Sequence, residues 1–242
     1  MAAGDEERFD VKETQLLISG CKVNYVKYGT GPTNVLCITG TLGTWADFGP
    51  LFEKFDPAKY TVVAFDPPGY GKSRPPERKY TAVTNIQDAR TGHTIMKANL
   101  ELNALPFAIL GWSEGMRTAT ALAAQFRSDV TKVVAWGGVA YITEHIATWF
   151  KKMRDVNTWS DPEQVQAFAK HYEDDYFRRV WTAQSDFYTN IYQMVPNGNL
   201  MLDILPRVHA PYLVIYCAKD HMLGTSILPQ LNEIVKKVKN GR

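Results

Sequence analysis

A chain of 242 residues is long enough for one α/β domain with a sizeable core, or for two small domains. With 45% apolar and 21% charged residues, a net charge of +2 and neither a basic block nor an acidic tail, it has an ordinary globular composition. Nothing in that composition points to nucleic acid or an anionic membrane surface as a partner. No apolar run reaches the ~18–20 residues that a membrane span needs. The first eight residues are acidic and lack an apolar segment, which argues against a signal or transit peptide, and glycine is not second, so a myristoyl anchor is not expected. Cys21, Cys37 and Cys217 are odd in number and in no metal-binding spacing. Cys37 and Cys217 fall in apolar, strand-like runs and are expected to be buried, inert thiols in a reducing, cytoplasmic compartment.

In chain order, residues 14–18 and 23–28 read as strands, followed by a Gly29-Thr30-Gly31-Pro32 turn. Residues 35–39 form a short continuous apolar run suited to a strand buried on both faces, and Gly40-Thr41-Leu42-Gly43 follows at once. A short amphipathic helix is expected at 51–55 and a buried strand at 60–65. That strand runs into Asp66-Pro67-Pro68-Gly69-Tyr70-Gly71, a loop dense in helix breakers. A helix is expected over 84–102, a strand over 106–110, an Ala-rich helix over 116–126 and a strand over 130–136. Strands alternating with helices imply right-handed βαβ units and a mostly parallel, doubly wound sheet. From 141 to 205 the pattern changes: Trp149, Trp159, Trp181 and several tyrosines recur at helical spacing without a buried-strand run, as in an inserted helical cap. The sheet resumes at 212–217 and a helix closes the chain over 226–238. The expected organisation is a core in two parts, 1–140 and 206–242, with the cap at 141–205.

Gly111-Trp112-Ser113-Glu114-Gly115 matches G-x-S-x-G. Three fixed positions carry little weight alone, but a buried strand precedes this match and a small-residue helix follows, as a nucleophile elbow requires. The sharp strand-to-helix reversal holds the serine in a strained backbone and pushes Oγ into the cleft. Glycines two residues to either side avoid clashes that a Cβ would create. An oxyanion hole needs two backbone N–H donors. One is expected from Glu114, the other from the loop after the third strand, through Thr41 or Leu42. The acid should follow a later strand, and Asp220, in the turn after 212–217, is the candidate; the alternative is a turn-capping Asp.

The order Ser…Asp…His then calls for a histidine beyond Asp220, where 22 residues remain. A crossover helix with its loops uses most of them, so the last strand, its histidine and a final helix are expected to be missing and the activity impaired. Of the five histidines, His221 adjoins Asp220 too closely to complete a triad. His93 suits a structural or surface role, His145 and His171 lie in the cap, and His209 belongs at the opposite end of the sheet.

Several longer blocks resemble one family, the biphenyl-hydrolase-like proteins or valacyclovir hydrolases, which have the α/β-hydrolase fold. They include Ala46-Asp47-Phe48-Gly49-Pro50, the stretch from Asp66 to Pro76, residues 110–115, Arg154-Asp155-Val156-Asn157-Thr158-Trp159-Ser160, Leu205-Pro206-Arg207-Val208 and Lys219-Asp220. The resemblance implies serine hydrolysis of α-amino-acid esters, including ester prodrugs, with no metal or organic cofactor. It also implies that the acidic residue after the nucleophile, here Glu114 in place of the family's aspartate, recognises the substrate ammonium. Met116 stands where the family carries glycine, and its bulk is expected to narrow the cleft. A non-catalytic binding or regulatory protein on this scaffold and a carbon–carbon bond hydrolase are the competing readings. An unprotected strand at 212–217 would invite self-association.

Overall fold

The computed structural model describes residues 9, 11–98, 106–169, 171–220, 222–224 and 227–241. The end of the expected helix at Leu102, the start of the last helix at Ser226, and His221 lie outside the described residues.

Seven strands form one sheet in the order β1-β2-β4-β3-β5-β6-β7. The first hairpin pairs β1 (Lys12–Ile18) with β2 (Cys21–Tyr28). Its two-residue turn, Ser19-Gly20, has φ of 49° and 83°, the double left-handed geometry that matches the twist of antiparallel strands. Strand β2 pairs antiparallel with β4 (Tyr60–Phe65), and every later pairing is parallel. The central strands β3 (Thr33–Ile38) and β4 are rich in β-branched residues and buried on both faces. One face carries Leu36, Ile38, Val63, Phe65 and Ile109. It packs on helices α2 (Thr84–Ala98) and α3 (Glu114–Gln125). The other carries Val35, Cys37, Val62 and Ala64 and is covered by Phe9, Trp45, Phe48 and Phe52.

Helix α1 occupies Gly49–Phe52, earlier than the expected 51–55. Pro50 in its first turn is pre-set for a helix start, and Phe52 is its buried anchor. Strand β5 (Phe107–Trp112) runs up to Ser113 itself, and β6 (Val130–Trp136) lies beside it. Strand β7 (Tyr212–Ile215) is shorter than the expected 212–217. Cys217 therefore falls in the turn and is exposed, correcting the expectation that it is buried; Cys21 and Cys37 are buried. On β7, Leu213 and Ile215 share a face with Val134 and Trp136 and are 42% and 47% exposed. An isolated parallel bridge joins Tyr212 to Gly241, after helix α7 (Ile227–Lys237), and the Tyr212 N–H donates to the Asn240 carbonyl at 3.1 Å.

Among the described residues three α-helices lie between β6 and β7: α4 (Glu144–Met153), α5 (Pro162–Ala169) and α6 (Asp174–Met194). Thr143 caps α4 by accepting from the Ile146 N–H, and an antiparallel bridge between Tyr141 and Asn199 closes the base of the insertion. Trp149, Trp159 and Trp181 meet edge to face. Trp181 lies 4.8 Å from Trp159 and 6.2 Å from Trp149, and the indole N–H groups of Trp159 and Trp181 both donate to the Met153 carbonyl. Tyr172 and Tyr176 tie these helices to the loop after β4: Tyr172 Oη accepts from Gly71 N–H at 3.0 Å, and Tyr176 Oη donates to the Gly69 carbonyl.

Candidate active site

Strand β5 leads straight into α3 through Ser113, whose backbone sits at φ 54°, ψ −118°. A non-glycine residue there is strained, and the surrounding packing holds it. The Ser113 N–H donates to the Trp136 carbonyl of β6 at 2.8 Å. A Cβ on Gly111 would stand 2.7 Å from the Gly115 carbonyl oxygen, and one on Gly115 only 2.1 Å from that of Ile38. The flanking glycines are therefore demanded by contact: the first turn of α3 lies against the end of β3. The expected elbow is present.

The loop after β3 closes over the serine. A Cβ on Gly40 would stand 2.9 Å from Ser113 Cβ and 3.4 Å from its Oγ. Thr41 and Ser113 line the same cleft, a cavity of about 140 Å³ walled also by Trp112, Gly138, Phe150, Trp181, Gln184 and Met222. Leu42, at φ 55°, turns its side chain into the aromatic cluster of the cap and is 2% exposed. Met116 does not narrow the cleft as expected. It is fully buried in the core, where the absence of a side chain on Gly138 makes room for it.

Behind Ser113 stands a charged wall. Glu114 is 4% exposed and lines the cleft. Its Oε2 accepts from Tyr70 Oη at 2.9 Å, and its Oε1 lies 3.3 Å from Arg78 and 3.9 Å from Arg117. Arg78 reaches Asp88 through two N–H donors, at 3.0 and 2.7 Å. Two carboxylates face two guanidinium groups, so the buried cluster is neutral as a whole, which offsets the cost of taking four charges out of water. Burial pushes the Asp88 carboxyl above its usual range while Arg78 draws it back. Burial, then Glu114, pushes the Tyr70 hydroxyl well up, so it stays a neutral donor. Arg117 also donates to Asn85 Oδ1 and to Tyr188 Oη. The sequence reading missed Arg78, Asp88, Arg117 and Gln184. Arg117 had a legible signal, a single cation one turn after Glu114 in a helix made mostly of small and apolar residues.

Asp220 sits in the turn beyond β7, where its Oδ1 accepts from the N–H groups of Met222 and Leu223 at 3.0 and 2.9 Å. The carboxylate caps its own turn, and that turn presents Met222 to the cleft. Among the described residues no histidine lines the cleft. His93 pairs with Asp129 at 2.7 Å and stacks on Phe126, in the structural role expected. The carbonyl of His209, before β7, accepts from Asn240. In the cap, His171 lies near Asp47, and His145 Nε2 would stand 3.4 Å from a Cβ on Gly224. His221 is outside the described residues.

The family of the alpha/beta hydrolase fold matches residues 33–155. The human serine hydrolase BPHL is 35% identical over 214 residues, covering 88% of this chain and 72% of that protein, and the mouse one is 33% identical over the same shares. A hydrolase of Pseudomonas aeruginosa PA01 has the same fold, with a TM-score of 0.68 at 19% identity over 96% of this chain and 88% of its own. The elbow, the seven-stranded sheet and these matches define a serine hydrolase of the α/β-hydrolase fold. Within that fold, the chain belongs to the biphenyl-hydrolase-like family.

Proposed function

We propose that the protein hydrolyses small carboxylic esters that carry an amine beside the scissile carbonyl, with Ser113 as nucleophile and Asp220 as the acid. The observation that carries this reading is Ser113 at a strained elbow, facing the Gly40-Thr41 loop in a cleft bordered by the Glu114 carboxylate. The N–H groups of Glu114 and Thr41 serve as oxyanion donors. Thr41 is favoured over Leu42 because Thr41 lines the cleft beside Ser113. The Glu114 carboxylate meets the substrate ammonium at the cleft wall. Arg78 and Arg117 share that carboxylate, so hydrogen bonding contributes more to amine recognition than net charge does.

With no histidine lining the cleft among the described residues, activity is impaired, at a level of the order of the 10³–10⁴-fold over water that oxyanion donors and binding sustain without a complete triad. Turnover of L-valine ethyl ester, followed with and without added imidazole as an external base, tests the assignment. Imidazole is expected to raise hydrolysis by the unaltered chain and leave Ser113→Ala at the solution rate. Equal rates for the two proteins at every imidazole concentration would refute a nucleophilic Ser113. A second reading, self-association along β7, draws on the exposure of Leu213 and Ile215. Sedimentation that gives one monomeric mass over a hundredfold range of concentration would exclude it.

A further inference from the structure

Gln184 is a polar side chain at the cleft with half of its hydrogen-bonding capacity unused. It lies on α6, lines the cleft that holds Ser113 and is 2% exposed. Its Nε2 donates to Thr41 Oγ1, and the residue also lies against Tyr188, one turn further along the helix. Its Oε1 is buried and has no hydrogen-bond partner among the described residues. A buried acceptor of this kind is costly unless something supplies a donor. In this arrangement the amide nitrogen takes Thr41 Oγ1, and the oxygen is the end of the carboxamide left in need of a donor. The protein groups at the charged wall do not relieve it either: Arg117 is directed to Glu114, Asn85 and Tyr188.

We infer that Gln184 is a specificity-determining residue, its Oε1 accepting a hydrogen bond from an N–H donor on the acyl part of the ester. The inference rests on the ester-hydrolase reading above and deepens it, because it moves part of the amine recognition from Glu114 to the cap. An acyl group with an ammonium satisfies the oxygen, and the corresponding acyl group without it leaves a buried acceptor unpaired. Discrimination of this kind is worth roughly tenfold to a hundredfold in affinity when the donor is charged. The same residue holds Thr41, so the side chain that reads the donor also steadies the loop over the nucleophile.

L-valine ethyl ester and ethyl 3-methylbutanoate differ only in the α-amine, and calorimetric titration of each into Ser113→Ala protein measures binding without cleavage. The Ser113→Ala protein is expected to bind the amine-bearing ester at least about tenfold more tightly. Adding Gln184→Met should lower that ratio severalfold, leaving the share that Glu114 contributes, while the affinity for ethyl 3-methylbutanoate falls by less than the ratio does. Adding Gln184→Glu, which keeps an acceptor, should preserve or increase the ratio. An unchanged ratio in Gln184→Met, equal losses for both esters, or no preference in the parent protein would each overturn the inference. If Gln184→Met does not fold, Gln184→Glu decides, a ratio below the parent's being the refuting result. A chain that prefers the amine in binding but shows no Ser113-dependent hydrolysis would instead refute the hydrolase reading and leave Gln184 as the reader of the amine.

Discussion

The two sides of the cleft are built to different standards. On the Ser113 side, β5, Ser113 and α3 are held against the end of β3 by backbone approaches that exclude even a methyl group, and every charge on Glu114, Arg78 and Asp88 has a partner. On the Asp220 side, β7 is four residues long, two of its side chains are more than two-fifths exposed, and Asp220 is held by two N–H groups of its own turn. A strained backbone needs surroundings that over-determine it, whereas a carboxylate at a turn needs only its cap. The contrast teaches that the geometry of Ser113 is a property of the whole core, and that of Asp220 a local one.

The comparison can be broken most readily at Gly115. A Gly115→Ala side chain would press on the Ile38 carbonyl, which is backbone and cannot rotate away. The expected loss is about 3 kcal/mol of unfolding free energy, or failure to fold, by denaturant titration. Next in size is the pH dependence of the packed side. Asp66 bridges the Trp45 and Lys72 N–H groups and the Asn24 amide, yet burial pushes its carboxyl up from 3.8 to about 6. A raised carboxyl favours the folded state fully below pH 3.8, and that contribution is lost as pH rises towards 6. The unaltered chain should therefore lose about 3 kcal/mol relative to Asp66→Asn between pH 3.5 and 7, at about 1.36 kcal/mol per pH unit. Parallel stability curves for the two proteins would show that Asp66 does not titrate in that range.

On the Asp220 side the expected effects are smaller. Asp220→Ala removes the cap of the Met222 turn and should cost about 1 kcal/mol, read as a lowered thermal midpoint. A loss as large as that at Gly115 would erase the distinction between the two walls. Ile215→Thr, at a side chain 47% exposed, should change stability by less than about 0.5 kcal/mol. A larger loss would show that the outer face of β7 is covered in solution.

The strands, the helices between β6 and β7 and the sharp turn at Ser113 were legible because each rests on a local signal: continuous β-branched runs, tryptophans at helical spacing, and glycines around one serine. What stayed hidden was what tertiary packing decides. Arg78 and Asp88 lie in a stretch whose pattern shows neither to be buried, and they meet Glu114 only when the loop after β4 folds against α3. Gln184 sits among polar neighbours in the sequence, and only the pairing of α6 with the Thr41 loop gives it a distinct role. Met116 was misjudged because a residue one turn into a helix at an elbow can face either the cleft or the core, and the space at Gly138 decided for the core. Cys217 was misjudged because β7 stops before it.

The tryptophan cluster of the cap has a spectroscopic consequence. Of six tryptophans, Trp149, Trp159 and Trp181 form one cluster with centroid separations of 4.8 and 6.2 Å about Trp181, while Trp45 and Trp136 belong to the sheet's own packing. Indoles so close, and steeply inclined to one another, couple their ultraviolet transitions and exchange excitation energy. The cap therefore carries its own optical signature, and near-ultraviolet circular dichroism can follow its loosening separately from the melting of the sheet beneath it.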